Sequence, residues 1–327
     1  MKKFINAPDD LVHDSTAGLV MAHEDLLALN ESPLFVHRRT PKQGRVALIS
    51  GGGSGHEPLH TGYVGLGMLD AACPGQVFTA PTPAQIVAAA QRVESGQGVL
   101  MIIKNYAGDI ASFQMADDML EVECATVLVN DDVAVEQSTH TTGRRGVAGT
   151  LIVEKMIGAA AEAGANLYEC KALGARVNAN TASMGVALTS CTVPEEGAPT
   201  FDIGACEMEV GVGIHGEPGR YRRPVMPADD IVALLLDPIL KDLGLAGGRS
   251  VLLHVNGLGG TPLIELHLLT RIATLRLRSE GLHVKRWLVG NHTTSLEMAG
   301  ASLTLTALDD ELTSLWDAPV HTPSLRW

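Results

Sequence analysis

Short apolar runs alternate with stretches whose apolar residues recur every three or four positions, most regularly between Val46 and Ala179. Runs of about four to eight β-prone residues read as strands, and three-to-four spacing reads as one face of a helix. The spacing of Leu11, Leu19, Met21, Leu26 and Leu27 predicts a helix over Asp9–Leu29, with Asp9 and Asp10 placed to cap it. A strand at Val46–Ile49 follows, then a glycine-rich helix or turn over Pro58–Leu69 and a short strand at Gln76–Ala80. A helix at Ala84–Glu94, a strand at Val99–Ile103, a helix at Asp117–Glu123 and a strand at Ala125–Val129 continue the alternation. Helices at Val147–Ala163 and Leu167–Ala179 close this half. Such alternation predicts an α/β fold with a sheet covered on both faces.

The pattern changes after Ser183–Ala187. Residues 192–224 are rich in Gly, Pro and acidic side chains, but Met208, Val210, Val212 and Ile214 alternate with period two and predict a strand. A helix at Pro227–Leu243, a strand at Ser250–Val255, a helix at Pro262–Glu280 and strands at Val284–Val289 and Ala301–Leu305 complete the chain. The expected organisation is two α/β domains, residues 1–186 and 187–327, with glycine-rich loops at strand ends.

The strand at Val46 runs into Ser50-Gly-Gly-Gly-Ser-Gly-His-Glu-Pro58. Glycines at a strand's carboxyl end let a small polar ligand approach the backbone. The stretch is not a P-loop, because His56 and Glu57 follow Gly55 where Lys and Ser/Thr are needed. His56 also excludes a dinucleotide fingerprint and an esterase elbow, both of which need a small residue there. His56-Glu57-Pro58-Leu59-His60 matches the letters of a zinc-protease motif, but Pro58 leaves His56 outside any helix and the two imidazoles unaligned. The next apolar strand ends in Lys104-Asn-Tyr-Ala-Gly-Asp109, on the same sheet edge if the two strands are parallel. Gly213 and Gly216 flank Ile214-His215 in a tight turn. His56, Glu57, Lys104, Asp109 and His215 are therefore the candidate chemistry, since a neutral imidazole suits proton transfer or nucleophilic attack near pH 7. Any one of them alone also fits a cap or a satisfied surface group.

With 46% hydrophobic and 19% charged residues over 327 positions, the composition is that of an ordinary globular protein. A net charge of -13 argues against nucleic acid or an anionic membrane as the main partner. The five scattered cysteines form no CxxC pair and point to a reducing cytoplasm. No apolar run reaches the roughly 18 residues of a membrane span, and the N-terminus reads as neither signal peptide nor anchor.

SGGGSGHEP at Ser50, CPGQVFTAPTP at Cys73, IIKNYAGD at Ile102, NDDVAV at Asn130, GRRGVAG at Gly143, GVGIHGEPG at Gly211 and WDAPVHTP at Trp316 together resemble the dihydroxyacetone-binding subunits of dihydroxyacetone kinases, the DhaK family. The resemblance runs in order along essentially the whole chain. It implies that His215 attacks the ketone carbonyl and holds the triose as a hemiaminal. It implies that His56 and Asp109 contact the substrate hydroxyls and take up the proton of the one phosphorylated. Gly53, Ser54 and Gly55 of the glycine loop, with Lys104, would complete the pocket. ADP or ATP with magnesium is expected on a separate DhaL-type subunit, itself recharged by a DhaM-type phosphotransferase subunit. This chain, ending at Trp327, is then one component of a cytoplasmic kinase, a homodimer inactive alone, with no metal or nucleotide of its own. Asp131-Asp132 reads as a helix-start carboxylate pair rather than a magnesium site. Arg144-Arg145 reads as structural or interfacial rather than anion-binding. Ala80 stands where relatives often have serine, which leaves erythrulose or another short ketose open as the substrate. A non-catalytic carbonyl-sugar sensor of the same fold is the alternative function.

Overall fold

The computed structural model describes residues 2–134 and 143–327. Val135, the last residue of the NDDVAV block, lies outside them. The described residues carry two six-stranded sheets. The first has the order β1-β2-β4-β3-β5-β6: β1 (Leu27–Glu31), β2 (Leu34–Arg38), β3 (Ala47–Ser54), β4 (Ala71–Val77), β5 (Val99–Lys104) and β6 (Cys124–Val129). Strands β4, β3, β5 and β6 are mutually parallel, and β1 and β2 form an antiparallel hairpin at the edge.

Side chains alternate across a strand, so each central strand supplies two cores. Ile49, Val99, Met101 and Ile103 face α2 (Pro83–Val93) and α3 (Ala107–Met119). Leu48, Leu100 and Ile102 face α4 (Gly149–Ala163) and α5 (Leu167–Ala179). The even positions therefore point toward α4, whose residues from Gly149 to Ala161 are all buried. A helix apolar nearly all round belongs in a molecule's centre. Glu154 and Lys155 are the two charged residues along that buried stretch.

The second sheet has the order β11-β10-β12-β7-β8-β9, from β7 (Thr181–Ala187), β8 (Glu207–Val210), β9 (Tyr221–Pro224), β10 (Ser250–Gly257), β11 (His283–Gly290) and β12 (Gly300–Leu308). Only β10 and β11 pair in parallel here; the other pairings are antiparallel. Its apolar face packs on α6 (Ala228–Leu243) and α7 (Leu263–Ser279). The opposite face carries a buried polar layer in which Thr181 meets Thr306 at 2.9 Å and Ser183 meets Thr304 at 2.7 Å. The chain then closes with α8 (Asp310–Asp317) and returns to the first half, where His321 N–H donates to Leu66 O.

Several boundaries depart from the sequence expectation. The helix expected over Asp9–Leu29 is α1 (Leu11–Ala22) followed by β1, because Leu27–Glu31 pairs with Leu34–Arg38, and Asp10 makes no side-chain cap bond. The helix expected at Asp117–Glu123 is instead α3, which starts at Ala107 and stops at Met119. Met208–Ile214 is a strand only to Val210, because Gly211, at φ +78°, takes the chain out of the extended region. Of Gln76–Ala80 only Gln76 and Val77 are strand, the end of one that begins at Ala71. The largest correction concerns the glycines: Gly51, Gly52 and Gly53 are not a loop but lie inside β3. They are bare because neighbours crowd them. A Cβ on Gly51 would sit 2.6 Å from Cys73 O, one on Gly53 2.6 Å from Thr79 N, and one on Gly52 2.1 Å from Lys104 Nζ.

Candidate functional site

The carboxyl ends of β3 and β5 and the turn after β8 meet at one place. His56 follows β3, Lys104 ends β5, Asp109 lies in the first turn of α3, and His215 reaches over from the second half. The His215 ring meets the His56 ring edge-on at a centroid distance of 4.7 Å and the Tyr106 ring at 4.3 Å. Phe78 stacks on His56 at 5.1 Å and 17°. Phe78 holds φ at +56°, a conformation that costs a bulky residue about 1 kcal/mol or more, with its N–H bound to Ser54 O at 3.0 Å. A cavity of about 750 Å³ opens here, lined by Asp109, Tyr106, Phe78, Ala80, His215 and Glu217 among others.

His56 is buried, and its Nδ1 lies 2.8 Å from Thr294 O. A carbonyl only accepts, so Nδ1 carries the proton and Nε2 keeps its lone pair, buried and without a hydrogen-bond partner. Burial, with the neighbouring His215 and Lys104, holds its pKa well below the ordinary imidazole value, so the ring is neutral. Asp109 is equally buried, and its Oδ2 also has no hydrogen-bond partner, although the Lys104 ammonium stands 3.5 Å away. Burial pushes the Asp109 carboxyl up, and Lys104 opposes that rise. Two unpartnered proton acceptors thus lie near a half-buried imidazole, His56 against the His215 ring and Asp109 on the cavity that His215 lines.

The His215 turn is built by charge. His215 N–H donates to Glu217 Oε2 at 2.8 Å, and Glu217 Oε1 is 3.5 Å from Arg145 Nη1. Arg145 is fully buried, paired with Asp132 at 2.6 Å and donating to Gly211 O at 2.7 Å. Asp131 accepts from the N–H groups of Val147 and Gly149 at the start of α4 and from Ser183 Oγ. Asp131 therefore serves a helix start through space rather than next in sequence, while Asp132 pairs with Arg145. Arg144 reaches the surface and pairs with Asp242. Among the described residues no cluster of three or more His, Cys, Asp or Glu side chains is arranged around a possible metal ion. His56 and His60 face different partners, and the helical piece after them is the 3₁₀ turn Thr61–Tyr63.

Not every expected site residue gathers at this cavity. Gly53, Ser54, Gly55 and Glu57 line a separate cavity of about 580 Å³ toward α1, where Ser54 Oγ donates to Gly75 O and Glu57 accepts from Gly55 N–H. The sequence reading missed Phe78, Tyr106 and Thr294 as walls, and missed His60 and Glu154 behind Lys104. A signal for Glu154 was present: an acid inside an otherwise apolar helical run, Leu151-Ile-Val-Glu-Lys-Met156, is a buried charge in need of a partner.

Known proteins are similar to this chain along essentially its whole length. The DhaK dihydroxyacetone-binding subunit of the PEP-dependent dihydroxyacetone kinase of Escherichia coli K12 is 46% identical over an alignment covering 100% of this chain and 99% of the relative. The DhaK subunit of PTS-dependent dihydroxyacetone kinase 1 of Listeria innocua is 49% identical over 95% of each chain. A solved structure described as the dihydroxyacetone kinase operon co-activator Dha-DhaQ superposes with a TM-score of 0.90 at 33% identity, covering 95% of this chain and 97% of that one. The Dak1 domain matches residues 17–324, and with these relatives it places the chain in the Dak1 family that includes the DhaK subunits.

Proposed function

We infer that this chain is the triose-binding, phosphoryl-accepting subunit of a phosphoenolpyruvate-dependent dihydroxyacetone kinase. The observation that carries the reading is the pair of buried, unpartnered acceptors, His56 Nε2 beside the His215 ring and Asp109 Oδ2 on the cavity that His215 also lines. A ring nitrogen of His215 adds to the ketone carbon, the carbonyl π pair moves to oxygen, and the imidazole proton ends on that oxygen, giving a hemiaminal with no atom lost. A small triose offers few atoms for non-covalent affinity, at a ceiling of about 1.5 kcal/mol each. The covalent bond therefore selects ketoses over glycerol, which has no carbonyl. The terminal hydroxyl then gives its proton to Asp109 or His56 while its oxygen bonds to phosphorus and the donor's bridging P–O bond breaks. Lys104, 3.5 Å from Asp109, favours the ionised carboxylate that takes this proton.

The nucleotide would sit with magnesium on a DhaL-type partner, as ATP when it donates and as ADP afterwards, and a DhaM-type subunit would recharge that ADP. Asp131 and Asp132, the carboxylate pair nearest the site, are committed to α4 and Arg145. The protein acts as a homodimer in the cytoplasm, in glycerol metabolism; no helix of the described residues is long and apolar enough to cross a membrane. Reconstitution tests the reading: the chain plus a nucleotide-bearing DhaL-type subunit should phosphorylate dihydroxyacetone, and erythrulose less efficiently. The relative described as an operon co-activator favours a second reading, a triose sensor. Sugar binding with no turnover in the reconstituted system would select it.

A further inference from the structure

Glu154, His60, Lys104 and Asp109 form a buried line from the middle of α4 to the catalytic cavity. Strand parity assembles it, because Ser50 and Gly52 of β3 and Lys104 of β5 all lie on the face that meets α4. Its contacts are unequal. Lys104 Nζ lies 2.8 Å from His60 Nε2, 3.4 Å from Gly51 O and 3.5 Å from Asp109 Oδ2. An ammonium only donates, so His60 Nε2 accepts and the ring is neutral with its proton on Nδ1. Nδ1 in turn lies 2.6 Å from Glu154 Oε1 and 3.0 Å from Ser50 Oγ, whose own proton goes to Ile102 O at 2.7 Å. The imidazole is thus fixed from both sides. At 3.5 Å the ammonium attracts Asp109 without a hydrogen bond to Oδ2.

We propose that His60, oriented by Glu154, holds the Lys104 ammonium back from Asp109 and so keeps Asp109 Oδ2 open as the proton acceptor. Both are positioning residues for the reaction proposed above, on which this inference rests. A closer, hydrogen-bonded ion pair would occupy the acceptor oxygen and weaken it as a base; at 3.5 Å the restrained ammonium favours the ionised carboxylate while leaving that oxygen for substrate. Gly52 belongs to the same device, since a Cβ there would displace the ammonium at 2.1 Å. Burial pushes Glu154 up to about 8, so near neutral pH it is a neutral carboxyl that accepts from His60. Lys104 and Asp109 face each other at the cavity end of the line, 3.5 Å apart. The other titratable groups around them are His56 after β3, Tyr106 before α3, and His215 and Glu217 from the second half.

The test is a carbon-13 NMR titration of the Asp109 carboxyl in the lone chain, which needs no sugar, partner or nucleotide. In His60→Leu the ammonium closes on Asp109, and the proton affinity of that carboxyl should fall about tenfold. His60→Gln, whose amide oxygen can accept from Lys104, should recover most of it. If His60→Leu does not fold, His60→Asn, polar but too short to reach Lys104, carries the same expectation. In the reconstituted assay kcat should fall with KM for the triose within about twofold, the mark of an interaction made in the transition state. An unmoved or increased proton affinity at Asp109 overturns the proposal. A wild-type chain that binds triose but never turns it over sinks the kinase reading instead.

Discussion

The rings of His56 and His215 stand edge to face, 85° from parallel and 4.7 Å apart, although they come from different halves of the chain. A sugar bonded to His215 therefore has the lone pair of His56 Nε2 as a near neighbour. Replacing His215 by Ala should weaken dihydroxyacetone binding and let glycerol compete nearly as well. Competition calorimetry with both ligands checks this, and an undiminished preference for the ketone would remove the covalent step.

Asp109→Asn keeps the size of the side chain and removes its basic oxygen. Turnover with the partner subunit should fall by about 100-fold to 10,000-fold, while triose affinity changes little. A variant within a few-fold of wild-type kcat would take Asp109 out of the mechanism.

Arg145 is the hidden support of the His215 turn. Arg145→Met leaves Asp132 and Glu217 buried without their cation and should cost about 3–5 kcal/mol. Urea unfolding at pH 7.5 measures it. The Asp132 carboxyl is pushed up to about 6 by burial even with Arg145 beside it and rises further without that cation, so the loss should shrink as pH falls toward 6 and level off below it.

His254 gives a pH prediction away from the site. It lies on β10, fully buried, with neither ring nitrogen bonded, and burial and His292 hold its pKa well below 6.5. Below about pH 6.5 the unfolded chain protonates this ring and the folded chain does not, so stability falls with pH by about 1.4 kcal/mol per unit. His254→Leu removes that penalty. Its advantage over wild type should grow between pH 7 and pH 5 in paired unfolding curves, and a constant difference would refute the assignment.

The lone chain should not bind Mg-ATP in the micromolar range by calorimetry, because Asp131 and Asp132 already have partners and Gly51–Gly53 pair within a sheet instead of wrapping a phosphate. Tight binding would overturn the two-component reading.

Most of the central α/β alternation was legible because each strand's apolar run is bounded by Gly, Pro or a charge. Leu26 and Leu27 misled because they fit helical spacing as well as strand, and only the partner strand at Leu34–Arg38 decides between the two. His56, Lys104, Asp109 and His215 stood out as polar groups placed after strands. The apolar run around Glu154 marks it as a buried acid but not its partner, and nothing marks Thr294, since their contacts span 94 and 238 residues of chain.

The alternation within β3 sets which sequence changes this protein can survive. Ala47, Ile49 and Gly51 look one way, while Leu48, Ser50 and Gly52 look toward α4 and Lys104. Inserting or deleting one residue between 47 and 52 would exchange the two sets: isoleucine would face His60 and a hydroxyl would enter the apolar layer under α2. Point substitutions in this strand can be graded by size, but a single-residue frame slip cannot. Length variation among functional descendants is therefore expected in surface segments such as 244–249, and not in this strand.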